Sequence, residues 1–187
     1  MAANQSSGRD FAMLAAGIAA GIVGSRLLPP IVAVISGRAR IGKDPFEHLT
    51  QEHREILSIL DQMVEAPADS TMQRSRLFLM LKRKLAKHDM AEEDVVYPLL
   101  NAEPQQSGES KHLYDEHADM KILLFQLEEL LQTGGDWRHE VSALRDLIRR
   151  HAQDEEQNVF PQLRIALAQN RLPKVSGQIR REESLIL

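Results

Sequence analysis

The chain has 187 residues, enough for one domain with extensions at its ends. Only 4% of the residues are aromatic, and leucine, alanine, glutamate, arginine and glutamine are abundant, which favours helix over sheet. The formal net charge is -4 and the basic residues are scattered, so nucleic acid is a poor candidate partner. The absence of cysteine excludes disulfides, thiolate zinc sites and cysteine nucleophiles, and leaves only nitrogen and oxygen to bind a metal.

The N-terminal region is distinct from the remainder. Residues 1–10 are polar, and residues 11–36 form an apolar segment that we expect to lie outside the folded domain. The stretch 11–35 exceeds the roughly 20 apolar residues that cross a bilayer. Arg26 and the Pro29-Pro30 pair disfavour a straight span. We therefore predict membrane association, with a segment lying in the membrane interface or a cleaved signal peptide as alternatives.

The charges that flank this segment predict where the rest of the chain lies. Arg9 precedes the segment, whereas Arg38, Arg40 and Lys43 follow it. Because positive flanks stay on the cytoplasmic side, we expect a membrane-associated protein whose folded domain is cytoplasmic. A soluble cytoplasmic protein and one exported by a signal peptide are the alternatives.

Helical periodicity and capping signals then predict an all-α fold. Four helices are expected, beginning near Asp44, Ser70, Ser110 and Asp136. Short connections between amphipathic helices indicate an up-down-up-down four-helix bundle over residues 44–169. Residues 170–187 are polar and contain a proline, and we expect them to form a flexible C-terminal tail.

Two motifs occur twice in the chain. His48-Leu49-x-x-Glu52-His53 recurs 64 residues later as His112-Leu113-x-x-Glu116-His117. His88-x-x-x-Glu92-Glu93-x-x-x-Tyr97-Pro98 recurs 63 residues later as His151-x-x-x-Glu155-Glu156-x-x-x-Phe160-Pro161. The nearly constant offset indicates that one helical hairpin is used twice, with imidazoles and carboxylates at matching places.

The repeated residues lie where they can bind a metal. Four residues turn a helix by about 400°, so the histidine and glutamate of each His-x-x-x-Glu motif project from one face. These faces also carry the apolar stripes, and burying unpaired carboxylates is costly. A pair of divalent ions would satisfy all of these groups. The pattern therefore predicts a metal site formed by His53, His88, Glu92, His117, His151 and Glu155.

The types of ligand narrow the choice of metal. Imidazole and carboxylate without thiolate suit iron or manganese, with zinc possible and calcium unfavoured. Six protein ligands for two ions leave coordination positions open, which indicates chemistry or ligand binding more than a structural role.

These motifs resemble those of the hemerythrin-like family of HHE cation-binding domains, over about residues 44–169. The resemblance implies a bundle with two iron ions as cofactors, manganese or zinc being less favoured, and with Glu92 and Glu155 bridging them. Oxygen-carrying members have a histidine and an aspartate where this chain has Lys121 and Glu156. Because of that departure, we expect sensing, redox turnover or peroxide chemistry as readily as reversible oxygen carriage.

Further polar residues adjoin the predicted ligands. Four glutamates are candidates for hydrogen bonding to the ligand imidazoles, although solvated helix faces are the alternative: Glu52, Glu93, Glu116 and Glu156. Tyr97 is another candidate, since its hydroxyl can reach the site, but Phe160 at the equivalent place favours a packing role.

Three functions remain open on this basis. The first is a non-haem di-iron protein that binds or senses dioxygen or a related small oxidant. The second is a di-iron enzyme that detoxifies peroxide or nitric oxide. The third is a helical scaffold without metal, in which the histidines are buried neutral.

Overall fold

The computed structural model describes residues 44–67, 69–102, 108 and 110–186. All regular structure in this part of the chain is helical, so the prediction of an all-α protein is confirmed there. The α-helices are α1 (Pro45–Glu65), α2 (Thr71–Ala91), α3 (Tyr97–Asn101), α4 (Ser110–Thr133), α5 (Arg138–Asp154), α6 (Phe160–Ala166) and α7 (Leu172–Glu183).

Two predictions for the N-terminal region, the polar residues 1–10 and the apolar segment 11–36, concern residues outside the described ranges. Within the described part of the chain, no helix combines the length and the apolar character that a membrane span needs.

Helix α1 begins where the sequence predicts. The Asp44 carboxylate accepts a hydrogen bond from the Phe46 N–H at 2.9 Å, and Pro45 occupies the first helical position, where no N–H is needed. A second oxygen of Asp44 accepts a hydrogen bond from Arg164 Nε of α6 at 2.6 Å. The cap therefore also ties the start of the bundle to its later part.

The four long helices pack as a ring around a layered interior. Helix α1 contacts α2 and α5, and α4 contacts the same two helices. Along α1, Phe46 and Leu49 belong to one apolar cluster, while Ile56 and Leu60 belong to another. His53 lies between them at helical spacing and is 1% exposed. The same order recurs in the other long helices, so a polar layer separates two apolar cores.

Two π-helical turns interrupt the second and fourth long helices. They span Glu92–Val96, between α2 and α3, and Glu155–Val159, between α5 and α6. In each turn the N–H of the following aromatic residue bonds to the carbonyl of the glutamate five residues earlier. The next residue is a proline, which lacks an N–H and would clash with the carbonyl four positions before it in a regular helix. The wider turn relieves that conflict and is common at functional sites.

The expectation of a flexible tail over residues 170–187 is wrong. A 3-10 turn at Gln169–Arg171 leads into α7, which packs against α1, α2 and the first π-helical turn. Val175 and Ile179 of α7 are 3% and 1% exposed and join the apolar cluster that contains Phe46. With Leu172 they lie at positions i, i+3 and i+7, the spacing of an amphipathic helix, and this pattern outweighs the polar composition.

Candidate metal centre

The polar layer brings all six predicted metal ligands together. Glu92 and Glu155 lie at its centre and are fully buried. His88 Nε2 lies 3.1 Å from Glu92 Oε1, and His53 Nε2 lies 3.2 Å from Glu155 Oε2. The other two histidines complete the layer: His117 Nε2 is 3.4 Å from Glu92 Oε2, and His151 Nε2 is 3.6 Å from Glu155 Oε2.

The opposite nitrogen of each imidazole has its own carboxylate partner. Each Nδ1 lies within hydrogen-bond distance of one of the four candidate glutamates, in the pairs His53–Glu156 (2.9 Å), His88–Glu52 (3.3 Å), His117–Glu93 (2.8 Å) and His151–Glu116 (2.8 Å). A carboxylate that accepts from Nδ1–H fixes the ring orientation and leaves Nε2 as the inward-facing donor atom. These four glutamates therefore orient the imidazoles and are not merely solvated charges.

The carboxylates also control the protonation of the imidazoles. Burial disfavours a charged His151, but the charges of Glu155 and the other carboxylates raise its pKa to about 10. The same opposition of burial and carboxylates raises the pKa of His117 to about 9 and that of His88 to about 8. A cation that binds these nitrogens at neutral pH must therefore displace protons.

The donor atoms at the centre of the layer suit a metal. Five of them are buried without a hydrogen-bond partner: His53 Nε2, His88 Nε2, both Glu92 oxygens and Glu155 Oε2. Buried polar atoms are rarely left unsatisfied, because each costs the free energy of its lost hydration. His53, Glu92, His151 and Glu155 each offer one donor atom, and these atoms all lie within 4.8 Å of one another. Nitrogen and oxygen donors at this density form a metal-binding site.

Tyr97 adds a hydroxyl group to the same layer. Its hydroxyl donates to Glu155 Oε1 at 2.9 Å and also lies 2.9 Å from His117 Nε2. Burial and the charges of Glu155 and Glu92 raise its pKa well above the ordinary value, so the phenol stays protonated. Phe160 occupies the equivalent place in the second half, which shows that the packing is shared but the hydroxyl is not.

The sequence reasoning missed Asp89. This carboxyl is 4% exposed, its Oδ1 has no hydrogen-bond partner, and burial raises its pKa. It lies with Glu93 and His117 in a second group of potential ligands, within 4.8 Å of one another. Its counterpart in the second half is Ala152, so a comparison of the repeats could not single it out. Its position one residue after a predicted ligand was the available signal.

The fold and the site define a metal-binding helical bundle. Comparison with known families agrees: the model of the hemerythrin HHE cation binding domain matches residues 34–163. The chain therefore belongs to the hemerythrin HHE cation-binding domain family.

One curated relative is similar to most of the chain. It is a protein of Nostoc sp. (strain PCC 7120 / SAG 25.82 / UTEX 2576) named DNA nickase, 23% identical over 154 residues. The match covers 82% of this chain but only 43% of that relative, so the chain spans less than half of the relative's length. No solved structure matches the chain.

Proposed function

We propose that this protein binds two iron ions and that it binds or senses dioxygen or a related small oxidant. The bundle that holds them is an up-down-up-down arrangement of the four long helices. The observation that carries the proposal is the set of nitrogen and oxygen atoms that face one another in a buried layer without forming hydrogen bonds. The family supports a cation there, and the mixture of imidazole and carboxylate favours iron or manganese over calcium.

The residues of the site have two roles: some would bind the metal, and others fix the orientation of the imidazoles that bind it. Four histidines and two glutamates would bind the ions, with the glutamates shared between them: His53, His88, His117, His151, Glu92 and Glu155. Bound iron would supply open coordination positions and electron transfer to a small oxidant. The four glutamates that lie beside the Nδ1 atoms, which we call the outer glutamates, orient the imidazoles. The apolar clusters on either side exclude water.

Metal analysis of the intact chain tests this proposal directly. The full chain, purified without added metal and then titrated anaerobically with ferrous iron, should bind about two ions for the six ligands. Exposure to dioxygen should then give a stoichiometric change in the absorption spectrum. A folded protein that refuses iron would exclude the metal function and favour the scaffold. Iron binding without a response to oxygen would restrict the proposal to iron handling.

A second candidate function is a di-iron enzyme that removes peroxide or nitric oxide, and Tyr97 is the observation that favours it. A phenol that stays protonated in the buried layer can donate a hydrogen bond to a reduced oxygen species. Continuous decomposition of peroxide that is lost in Glu92→Gln and slowed in Tyr97→Phe would support the enzyme. A single stoichiometric reaction, unchanged by Tyr97→Phe, would support the binder.

We also propose that residues 11–35 associate with a membrane and leave the bundle in the cytoplasm. The support is the apolar run and the basic residues that follow it in the sequence. Retention of the full chain in the membrane fraction after alkaline extraction, with loss of retention when residues 11–35 are deleted, would test this proposal.

A further inference from the structure

Helix α2 has a second apolar face that points away from the bundle. The outer face of α2, as we name it, consists of Met72, Arg76, Leu79, Met80, Arg83 and Lys87. At 100° per residue, these six positions lie within an arc of about 100° on one side of the helix. Met72 is 88% exposed, and Leu79 and Met80 are 47% and 45% exposed. Leu81, Leu85 and the other core residues occupy the opposite side, so α2 is apolar on both sides.

The outer face of α2 also carries unpaired positive charge. Arg76, Arg83 and Lys87 form no ion pair with any residue in the described ranges. The neighbouring Lys82 and Lys84 differ, since Glu128 and Glu55 neutralise them at 2.6 and 2.5 Å. No acidic residue occurs in α2 before Asp89. The face therefore combines apolar side chains with a net positive charge.

Apolar side chains are also exposed on the neighbouring helix α4. The Lys82–Glu128 ion pair joins α2 to α4, and Phe125 lies one turn before Glu128 on the same side of α4. Phe125 is 61% exposed, and Ile122, a further turn back, is 55% exposed. Both helices joined by this ion pair therefore expose apolar side chains to solvent.

We propose that the outer face of α2 rests on the surface of an anionic membrane. Apolar side chains that alternate with basic ones suit a lipid interface, where the former enter the acyl boundary and the latter meet the anionic headgroups. A nucleic acid would use the positive charges but would leave the leucine and methionines exposed to water. The contact involves only described residues and does not depend on residues 11–35.

The absence of cysteine allows the contact to be measured in the full chain. A polarity-sensitive dye is attached to Met80→Cys on α2 or, as the control, to Gln153→Cys, which is exposed on α5. Vesicles of phosphatidylcholine, with or without phosphatidylserine, are then added. We expect a blue shift at position 80 with the anionic vesicles only, and no shift at position 153. Arg76→Glu with Arg83→Glu should weaken the dye response roughly tenfold or more, and so should high salt. Arg149→Glu with Arg150→Glu, on α5, should not.

Other results would overturn the proposal. Equal shifts at positions 80 and 153, or equal shifts with neutral and anionic vesicles, would show that this face does not recognise anionic lipid. A shift at position 80 that grows with protein concentration in the absence of vesicles would assign the face to a second copy of the chain. A shift produced by duplex DNA in place of vesicles, and abolished by the same double substitution, would assign it to nucleic acid.

Discussion

The two halves of the bundle, α1 to α3 and α4 to α6, share the polar layer but differ in their surroundings. Each half orients one imidazole of its own and one of the other half: Glu93 pairs with His117, and Glu156 pairs with His53. The surroundings differ because α7 packs mainly against helices of the first half, and Tyr97 of that half brings a hydroxyl to the layer where the second half has Phe160. The histidines and glutamates that both halves contribute are suited to binding ions. Helix α7 and the Tyr97 hydroxyl make the surroundings of the site chemically different in the two halves.

The largest effect should follow from removing the charges at the centre. In Glu92→Gln with Glu155→Gln, both carboxylates at the centre of the polar layer become neutral amides. We expect the metal content to fall to near zero and the metal-dependent increase in melting temperature to disappear, since a bound ion stabilises only the folded state. Elemental analysis and thermal denaturation with and without iron measure both quantities. Glu129→Gln, at an exposed position of α4, is the matched control and should retain the metal. Full metal content in the double variant would contradict the assignment of these ligands.

The next largest effect concerns pH, and it should distinguish His88 from His151. The pKa of His88 in the first half is raised to about 8, and that of His151 in the second half to about 10. A histidine whose pKa is raised by folding stabilises the metal-free fold, and this contribution is complete at pH values below the ordinary pKa of 6.5. The contribution is lost as the pH rises through the raised pKa. The melting temperature of the chelator-treated protein should therefore fall between pH 6.5 and 10.

NMR titration of the imidazoles provides the site-specific measurement for this prediction. We expect His88 to lose its proton before His151 as the pH rises. The iron-loaded protein is the control, because its ligand imidazoles have already lost their protons and its melting temperature should not fall over this range. Simultaneous titration of both imidazoles near pH 6.5 would contradict the prediction.

Helix α7 should contribute measurably to the stability of the first half. Ile179 is 1% exposed and packs in the cluster that contains Phe46 and Leu49, so Ile179→Ala should destabilise the fold by about 2–5 kcal/mol. Ile165 of α6 is 87% exposed, and Ile165→Ala should change stability by less than about 0.5 kcal/mol. Urea denaturation of the two variants measures the difference. Equal stabilities would show that α7 is not part of the folded core.

Exchanging the aromatic residues tests the chemical difference between the halves. Tyr97→Phe removes the donor to Glu155 Oε1, and leaving this buried acceptor unpaired should cost about 1–3 kcal/mol in the metal-free protein. Phe160→Tyr adds a hydroxyl to a filled position that stacks on Phe46 at 5.2 Å, with a similar cost from overpacking. Chemical denaturation measures both. Tyr97→Phe should keep its metal, since the six ligands remain, and loss of metal would instead place the phenol among the ligands.

The sequence predicted mainly those side chains of the site that occur in both halves of the bundle, and it missed features that occur in only one. The six predicted ligands and the four outer glutamates were identifiable because each occurs in both halves. Asp89 and α7 have no counterpart in the other half, so comparing the halves could not find them. The π-helical turns depend on a shift in backbone hydrogen bonding, which no side-chain pattern states, although the proline after each aromatic residue was a signal. The outer face of α2 became apparent only when the buried side of that helix was known.

The smallest effect concerns a pair of repeated histidines outside the polar layer. His48 Nε2 lies 2.7 Å from Glu183 of α7, and His112 Nε2 lies 2.9 Å from Asp154. The His48 side chain is 27% exposed and that of His112 is 53% exposed, so water screens the second contact more. We expect His48→Ala to destabilise the fold by about 1 kcal/mol and His112→Ala by less than about 0.5 kcal/mol. A double-mutant cycle of His48→Ala with Glu183→Ala measures the pair directly. A coupling energy near zero would show that the His48–Glu183 pair does not help to hold α7 against the bundle, despite its greater burial than the His112–Asp154 pair.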